Sequence, residues 1–208
     1  MTSQVWWYTA RAGGIVAWAL MAMSVLWGLA LSTKVLNGKP RPNWILDLHR
    51  FLGALALVFT GVHVVAIVAD SYVHFGLTEV LVPFTGTWHP VAVAWGIIGF
   101  YFLAAVEVTS LLRRRLSKRL WRATHFLSFP LFALTTVHAL SAGTDSSTFL
   151  LRWGVIATAI AVTTLTFVRI QQARRHAARI APAPAAPVAP AAPVAPAPAR
   201  ERERAVSR

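Results

Sequence analysis

The stretch LDLHRFLGALALVFTGVHVVAIVAD, residues 46–70, decides the fold. It is long and apolar enough to cross a bilayer, which takes about twenty helical residues. Yet it carries two imidazoles, His49 and His63, fourteen residues apart. Ionisable side chains inside a membrane span are rare, costly to insert and usually functional. The stretch therefore predicts a transmembrane helix that holds a bound group.

The composition indicates the same class of protein. Of 208 residues, 56% are hydrophobic and only 13% are charged, a balance typical of an integral membrane protein. The net charge of +13 comes from Lys and Arg clustered between apolar segments, which indicates contacts with lipid headgroups and not with nucleic acid. Because the sequence has no cysteine, disulfides, iron–sulfur clusters and thiolate-ligated cofactors are excluded within it.

Five apolar segments predict an all-α bundle of five transmembrane helices, because a backbone in lipid must satisfy its own hydrogen bonds. Basic residues occupy the first and third loops and the C-terminal tail, whereas the second and fourth loops have none. This alternation predicts a protein of the plasma membrane with its N-terminus outside and its C-terminus in the cytoplasm. The predicted spans are residues 12–33, 44–70, 90–112, 122–142 and 149–170.

These spans divide the chain into three parts. Residues 1–11 form a predicted extracytoplasmic N-terminus, residues 12–170 the transmembrane domain, and residues 171–208 a cytoplasmic tail. The tail holds seven of the twelve prolines in an Ala/Pro-rich run over residues 182–198. Such a composition cannot bury a core, so the tail is predicted to be extended and disordered.

Two further histidines, His125 and His138, lie in the fourth predicted span. The second and fourth spans run parallel, so His49 and His125 are predicted near the inner face, and His63 and His138 near the outer face. The rings within each span are about 21 Å and about 19.5 Å apart, because a helix rises about 1.5 Å per residue. A single intramembrane histidine is more often structural, but two pairs at matching depths suit two stacked six-coordinate haems.

Helical periodicity places the two histidines on one face of the helix in the second span but not in the fourth. Fourteen residues return to within roughly 40° of the start, so His49 and His63 share a face. Thirteen residues leave His125 and His138 roughly 140° apart on a straight helix. Pro130 can kink the fourth span between them, but the periodicity does not predict that the kink realigns the rings. The shared face of the second span carries small residues that would admit a flat macrocycle or a neighbouring helix: Gly53, Ala56 and Thr60.

The two histidine pairs resemble a known pattern. LDLHRFLGALALVFTGVH contains an H-x13-H pair, and RLWRATHFLSFPLFALTTVHAL contains an H-x12-H pair. Over residues 12–170 the chain is similar to the ferric reductase transmembrane domain family. That family includes the membrane parts of ferric reductases and NADPH oxidases and the haem-binding subunit of a bacterial methionine sulfoxide reductase system. The resemblance implies two b-type haems, with His49 and His125 on the inner iron and His63 and His138 on the outer. The thirteen-residue step is also usual in that family.

The sequence departs from that family in three respects. The oxidases have six spans, and this chain is predicted to lack the first. Where the oxidases place an aromatic side chain between the haems, this chain has Leu131, with Phe132 adjacent. No flavin- or nicotinamide-binding segment follows the last span, so flavin and NAD(P)H are expected only through a separate partner.

Other polar residues are candidates for supporting roles. Arg50 and Arg122 near the inner ligands, and Arg152 near the outer ones, could pair with haem propionates, although interfacial snorkelling is the commoner explanation. Glu107 in the third span could pair with an arginine of the third loop or serve a propionate or a proton. The loop histidines His74 and His89 are either solvated or part of an external docking point.

The sequence thus predicts a di-haem b-type membrane cytochrome, the haem-binding component of an oxidoreductase, with no catalytic side chain of its own. Electrons would pass from a cytoplasmic flavin-dependent donor to an external acceptor, either ferric iron or a partner reductase. The alternative is a non-redox carrier of protons or metal ions that uses the same histidines. That alternative needs intramembrane carboxylates as partners, and only Glu107 lies deep in a span.

Overall fold

The computed structural model describes residues 2–33, 42–71 and 75–180, and the secondary structure of these residues is entirely helical apart from turns. The all-α prediction is therefore confirmed. The helices in chain order are α1 (Thr2–Thr33), α2 (Pro42–Ala69), α3 (Leu77–Leu81), α4 (Pro90–Leu111), α5 (Lys118–His125), α6 (Ser128–Ala142) and α7 (Phe149–Ile180).

Five helical segments are long and apolar enough to cross a membrane, as predicted. They are Gln4–Thr33, Asn43–Ala69, Pro90–Leu111, Lys118–Ala142 and Phe149–Arg179. The first helix begins ten residues before the predicted span, because residues 2–11 continue the α-helical hydrogen bonding. The last helix continues past residue 170 to Ile180. The basic first loop and the Ala/Pro-rich run lie outside the described residues.

The chain divides into two compact units, residues 1–173 and 174–208. The first unit contains α1 to α6 and α7 as far as Ala173. In the second unit, the described residues 174–180 are helical, and their side chains are exposed from Arg174 to Arg179.

The packing within the first unit pairs neighbouring helices. α1 packs along α2, α4 packs along α6, and α1 also contacts α6. Two polar contacts join α1 to α6: the Trp18 indole N–H donates to the Thr136 hydroxyl at 2.9 Å, and the Thr135 hydroxyl donates to the Met21 sulfur at 3.6 Å. Interhelical hydrogen bonds of this kind help to fix how two helices align in a membrane. Burial of apolar side chains alone distinguishes poorly between alternative alignments there.

The fourth span is broken into α5 and α6. Pro130 has no N–H to give to the carbonyl of Phe126, and its ring would crowd that carbonyl in a continuous helix. The Phe126 carbonyl accepts instead from the N–H of Phe129, and the N–H of Leu127 reaches Thr124, both in the tighter i→i−3 pattern. A 3₁₀ turn advances about 120° per residue against about 100° in an α-helix, so the break rotates α5 relative to α6.

Candidate functional site

The structure brings the four predicted histidines together in two pairs. The ring centres of His49 and His125 are 6.0 Å apart with an interplanar angle of 77°. Those of His63 and His138 are 6.3 Å apart at 76°. One ring of each pair comes from α2 and the other from the broken fourth span. The break before Pro130 therefore accompanies the alignment that the periodicity of a straight helix did not predict.

The rings of the second pair, His63 and His138, are held by α1 and α4. Neither of these helices carries any of the four paired histidines. His63 Nδ1 lies 2.7 Å from the backbone oxygen of Ala10 on α1. His138 Nδ1 lies 2.8 Å from the backbone oxygen of Ala92 on α4. A carbonyl oxygen only accepts, so each Nδ1 carries the proton and donates it. The other ring nitrogen, Nε2, then keeps its lone pair, as a metal-ligating imidazole requires.

His49 is held in the same way. Its Nδ1 donates to the backbone oxygen of Ser24 on α1 at 2.9 Å and lies 3.1 Å from the hydroxyl of the same serine. That hydroxyl in turn donates to the His49 carbonyl at 3.3 Å. The ring of His49 is thus fixed by two groups of one residue, and its Nε2 is also left unprotonated.

His125 differs from the other three. Its Nδ1 is buried and has no hydrogen-bond partner among the described residues, and the same holds for the indole nitrogen of Trp121. The Trp121 ring stacks on the His125 ring, with centres 5.1 Å apart and an interplanar angle of 24°. The guanidinium of Arg113 lies 4.5 Å from the centre of the Trp121 ring. Stacking on Trp121, and not a hydrogen bond from Nδ1 to any described residue, positions this imidazole.

The spacing within both pairs fits one metal between two imidazoles. Two metal–nitrogen bonds of about 2 Å, with about 1.2 Å from each nitrogen to its ring centre, give centres roughly 6.4 Å apart. The ring-centre separations of 6.0 Å and 6.3 Å lie close to that value. A bare ion would draw four or more ligands from protein and water, whereas a haem iron takes only its two axial ligands from the protein. Within the described ranges there is no group of three or more His, Cys, Asp or Glu that could hold an ion.

A mostly apolar cavity surrounds the second pair. It lies between α1, α2, α4 and α6, and its walls include Gly14, Met21, Thr60, Gly96, Phe100 and Leu103. Arg11 and Asp145 also line it and form an ion pair, in which Arg11 Nε donates to Asp145 at 2.9 Å. Such a lining excludes water from the histidines while leaving room for a flat apolar group.

The small-residue face of α2 is partly as predicted. Ala56 is buried in the core and Thr60 reaches the cavity, with its hydroxyl bonded to the Ala56 carbonyl at 2.8 Å. Gly53 instead faces the carboxylate of Glu107 on α4, so close that a Cβ there would clash with it. Leu131 and Phe132, at the position expected to lie between the two pairs, are both buried in the hydrophobic core.

The remaining predicted residues lie mostly at the surface. Arg50 is exposed and pairs with Asp47 at 3.3 Å, and Arg122 and Arg152 are exposed. Glu107 makes no ion pair with any described arginine. The exposed His89 precedes α4 with a left-handed φ of 40° and packs edge-on against Trp88. His74 lies outside the described residues.

No sequence motif marks Ala10, Ser24 and Ala92, whose carbonyls hold the imidazoles. In all three residues a backbone carbonyl accepts from the ring, and only Ser24 adds a side-chain contact, through its hydroxyl. One signal was present: Ala10 and Ser24 are fourteen residues apart, as are His63 and His49. Two antiparallel helices that carry matching intervals can meet at both ends.

Five apolar helices and two facing histidine pairs define the chain as a multi-pass helical membrane protein. Residues 13–136 match the family model described as "Ferric reductase like transmembrane component". The match covers more than half of the chain and includes His49, His63 and His125. The chain therefore belongs to the ferric reductase-like transmembrane family, a family of membrane redox components.

A curated relative adds no function. An uncharacterized protein of Archaeoglobus fulgidus is 30% identical over 122 residues, which make up 55% of this chain and 64% of the relative. The chain thus spans less than two thirds of that protein's length. No solved structure gives a significant match.

Proposed function

We propose that the chain is a di-haem b-type cytochrome of the cell membrane. His49 and His125 would hold the iron of the inner haem, and His63 and His138 would hold that of the outer. The observation that carries this proposal is the pairing of imidazoles at 6.0 Å and 6.3 Å, the separation that one axially ligated iron requires. The hydrogen bonds at Nδ1 of three of these rings favour the same role, because they leave Nε2 free to ligate.

Two centres at different depths divide the crossing into shorter steps. Fourteen residues of α2 separate the two ligand positions by about 21 Å along the helix, within a hydrocarbon core of roughly 30 Å. When bound, the haems supply one-electron carriers. The chain holds the irons, fixes the planes of the ligand rings and keeps water from the site.

Several residues are suited to the propionate groups of the haems. Trp121 has a buried indole N–H without a partner among the described residues, and a carboxylate would accept from it. Arg122 and Arg152 are exposed cations near the two ligand levels, and they remain candidates for the same role, as does Arg50 if it releases Asp47.

The donor and acceptor lie outside the chain. In the proposed orientation, with the N-terminus outside, the exposed basic residues between α4 and α5 face the cytoplasm. Flavin and NAD(P)H act through a separate flavin reductase-type partner on that side. The acceptor on the outside is ferric iron or a partner reductase.

The test is a reduced-minus-oxidised visible spectrum of the purified chain, with pyridine haemochrome quantitation. We expect a b-type spectrum and two haems per chain. His63→Ala and His138→Ala should each remove one haem and leave the other, while His89→Ala, at an exposed loop position, should retain both. A colourless protein after expression with ample haem would refute the proposal and favour a carrier of protons or metal ions.

A further inference from the structure

Three of the four imidazoles rest against glycines of a neighbouring helix. A Cβ placed on Gly14 would lie 2.9 Å from His63 Nδ1, and one on Gly96 would lie 2.7 Å from both Nδ1 and Cε1 of His138. A Cβ on Gly28 would lie 3.2 Å from Cε1 of His49. Real Cβ atoms almost never approach to less than 3.0 Å, so two of these positions exclude any side chain unless the ring moves.

Each of these glycines lies four residues after the carbonyl that holds the same ring. Gly14 follows Ala10, Gly28 follows Ser24, and Gly96 follows Ala92. A helical side chain leans toward the N-terminus and covers the turn before its own Cα. A residue other than glycine would therefore cover the carbonyl that the imidazole must reach. We call this arrangement, a carbonyl with a glycine four residues later, a carbonyl–glycine socket.

The fourth histidine shows what happens when the glycine is replaced. Gly96 and Thr109 are thirteen residues apart on α4, the same interval that separates His125 and His138 on the antiparallel partner. At the corresponding position, Thr109 takes the place of glycine, and its hydroxyl donates to the Ala105 carbonyl at 2.7 Å. That carbonyl is covered and already has a second donor, and His125 Nδ1 has no partner among the described residues.

We propose that Gly14, Gly28 and Gly96 are positioning residues that uncover backbone carbonyls for haem-ligating imidazoles, and that Thr109 closes the fourth socket. This inference rests on the proposed function, because the sockets matter only if Nε2 of each ring binds iron. It makes the two haem sites unequal: both ligands of the His63–His138 site are hydrogen-bonded to described residues, but only one ligand of the His49–His125 site is.

The decisive variants are Gly14→Ala and Gly96→Ala, each made in the full chain and purified with its lipid or detergent. Each should lose the His63–His138 haem and keep the other, so that haem per chain falls from two to one. A Cβ on Gly28 would lie 3.2 Å from Cε1 of His49, a tight but tolerable contact. Gly28→Ala should therefore keep both haems but alter the low-spin ferric EPR signal of the His49–His125 site. Gly61→Ala is the matched control, because nothing lies within 4 Å of a Cβ there, on the same helix as His63.

Selective loss of one haem separates positioning from misfolding, which would remove both haems and change the elution profile. The inference, but not the proposed function, would be overturned by one result. In that result the wild type binds two haems, and the Gly14→Ala and Gly96→Ala variants also retain both with unchanged EPR signals. Wild type without haem would instead overturn the proposed function.

Thr109→Gly tests the fourth position. The opened carbonyl should accept from His125, make that ligand more basic and lower the midpoint potential of the His49–His125 haem. An unchanged potential would contradict the role given to Thr109.

Discussion

Replacing Pro130 with alanine should disturb one ligand pair and spare the other. The substitution restores the N–H that the Phe126 carbonyl lacks, so α5 and α6 can join into one helix. On a straight helix the thirteen-residue step sets His125 and His138 roughly 140° apart. The ring of His138 is fixed by the Ala92 carbonyl at 2.8 Å, whereas His125 has no hydrogen bond from Nδ1 among the described residues. We therefore expect His125 to turn away from His49.

The size of the effect follows from the cost of proline in a helix. An interior proline disfavours a continuous helix by about 3 kcal/mol, so Pro130→Ala should stabilise the straight form by an amount of that order. If this free energy of about 3 kcal/mol is lost entirely from haem binding at the His49–His125 site, the affinity of that site for haem falls roughly a hundredfold. The His63–His138 site should be unchanged, because its contacts with α1 and α4 lie beyond the break.

The assay is haem per chain by pyridine haemochrome during titration with haemin, with far-UV circular dichroism as a measure of helix content. Pro90→Ala is the control, since Pro90 occupies the first turn of α4, where a proline breaks no hydrogen bond. If Pro130→Ala binds two haems with wild-type affinity, the idea that the break aligns the rings is wrong.

Three further predictions follow from single contacts. Thr136→Val removes the acceptor of the Trp18 indole N–H, so the unfolding free energy in detergent should fall by about 0.6 to 1.7 kcal/mol, and Trp18→Phe should cost less in that variant than in the wild type. Gly53→Ala should lower the melting temperature because its methyl group meets the Glu107 carboxylate, and a smaller loss is expected in a Glu107→Ala background; equal losses in both backgrounds would contradict the contact. The near-perpendicular rings, at 77° and 76°, should give both ferric haems a highly anisotropic low-spin EPR signal, and a rhombic signal typical of parallel rings would contradict the geometry.

Much of the fold was predictable because the bilayer imposes long apolar segments. All five spans follow from hydropathy, and the pairing of the four histidines follows from rise per residue and the parallel direction of α2 and the fourth span. The rotation that the break introduces between α5 and α6 was not predictable. Pro130 marks its position, but the rotation depends on which carbonyls take i→i−3 bonds around Phe126, and that is decided by packing.

The groups that hold the rings were harder to predict than the rings themselves. A backbone carbonyl has no sequence identity, so Ala10, Ser24 and Ala92 resemble any other residues of apolar helices. The arginines show the opposite difficulty. Their charges made Arg122 and Arg152 stand out, but exposed arginines near a membrane surface are abundant, and charge alone does not determine which of them reaches a ligand.

The equal intervals on α1 and α2 tie the lengths of two helices together. A residue inserted between His49 and His63 would shift one ring by about 1.5 Å and about 100° relative to its carbonyl, while the other stayed in register. Only a matching insertion between Gly14 and Gly28 could restore both contacts. Relatives whose α2 histidines are separated differently should therefore show the same change in the spacing of their α1 glycines, a paired length variation that an alignment can reveal.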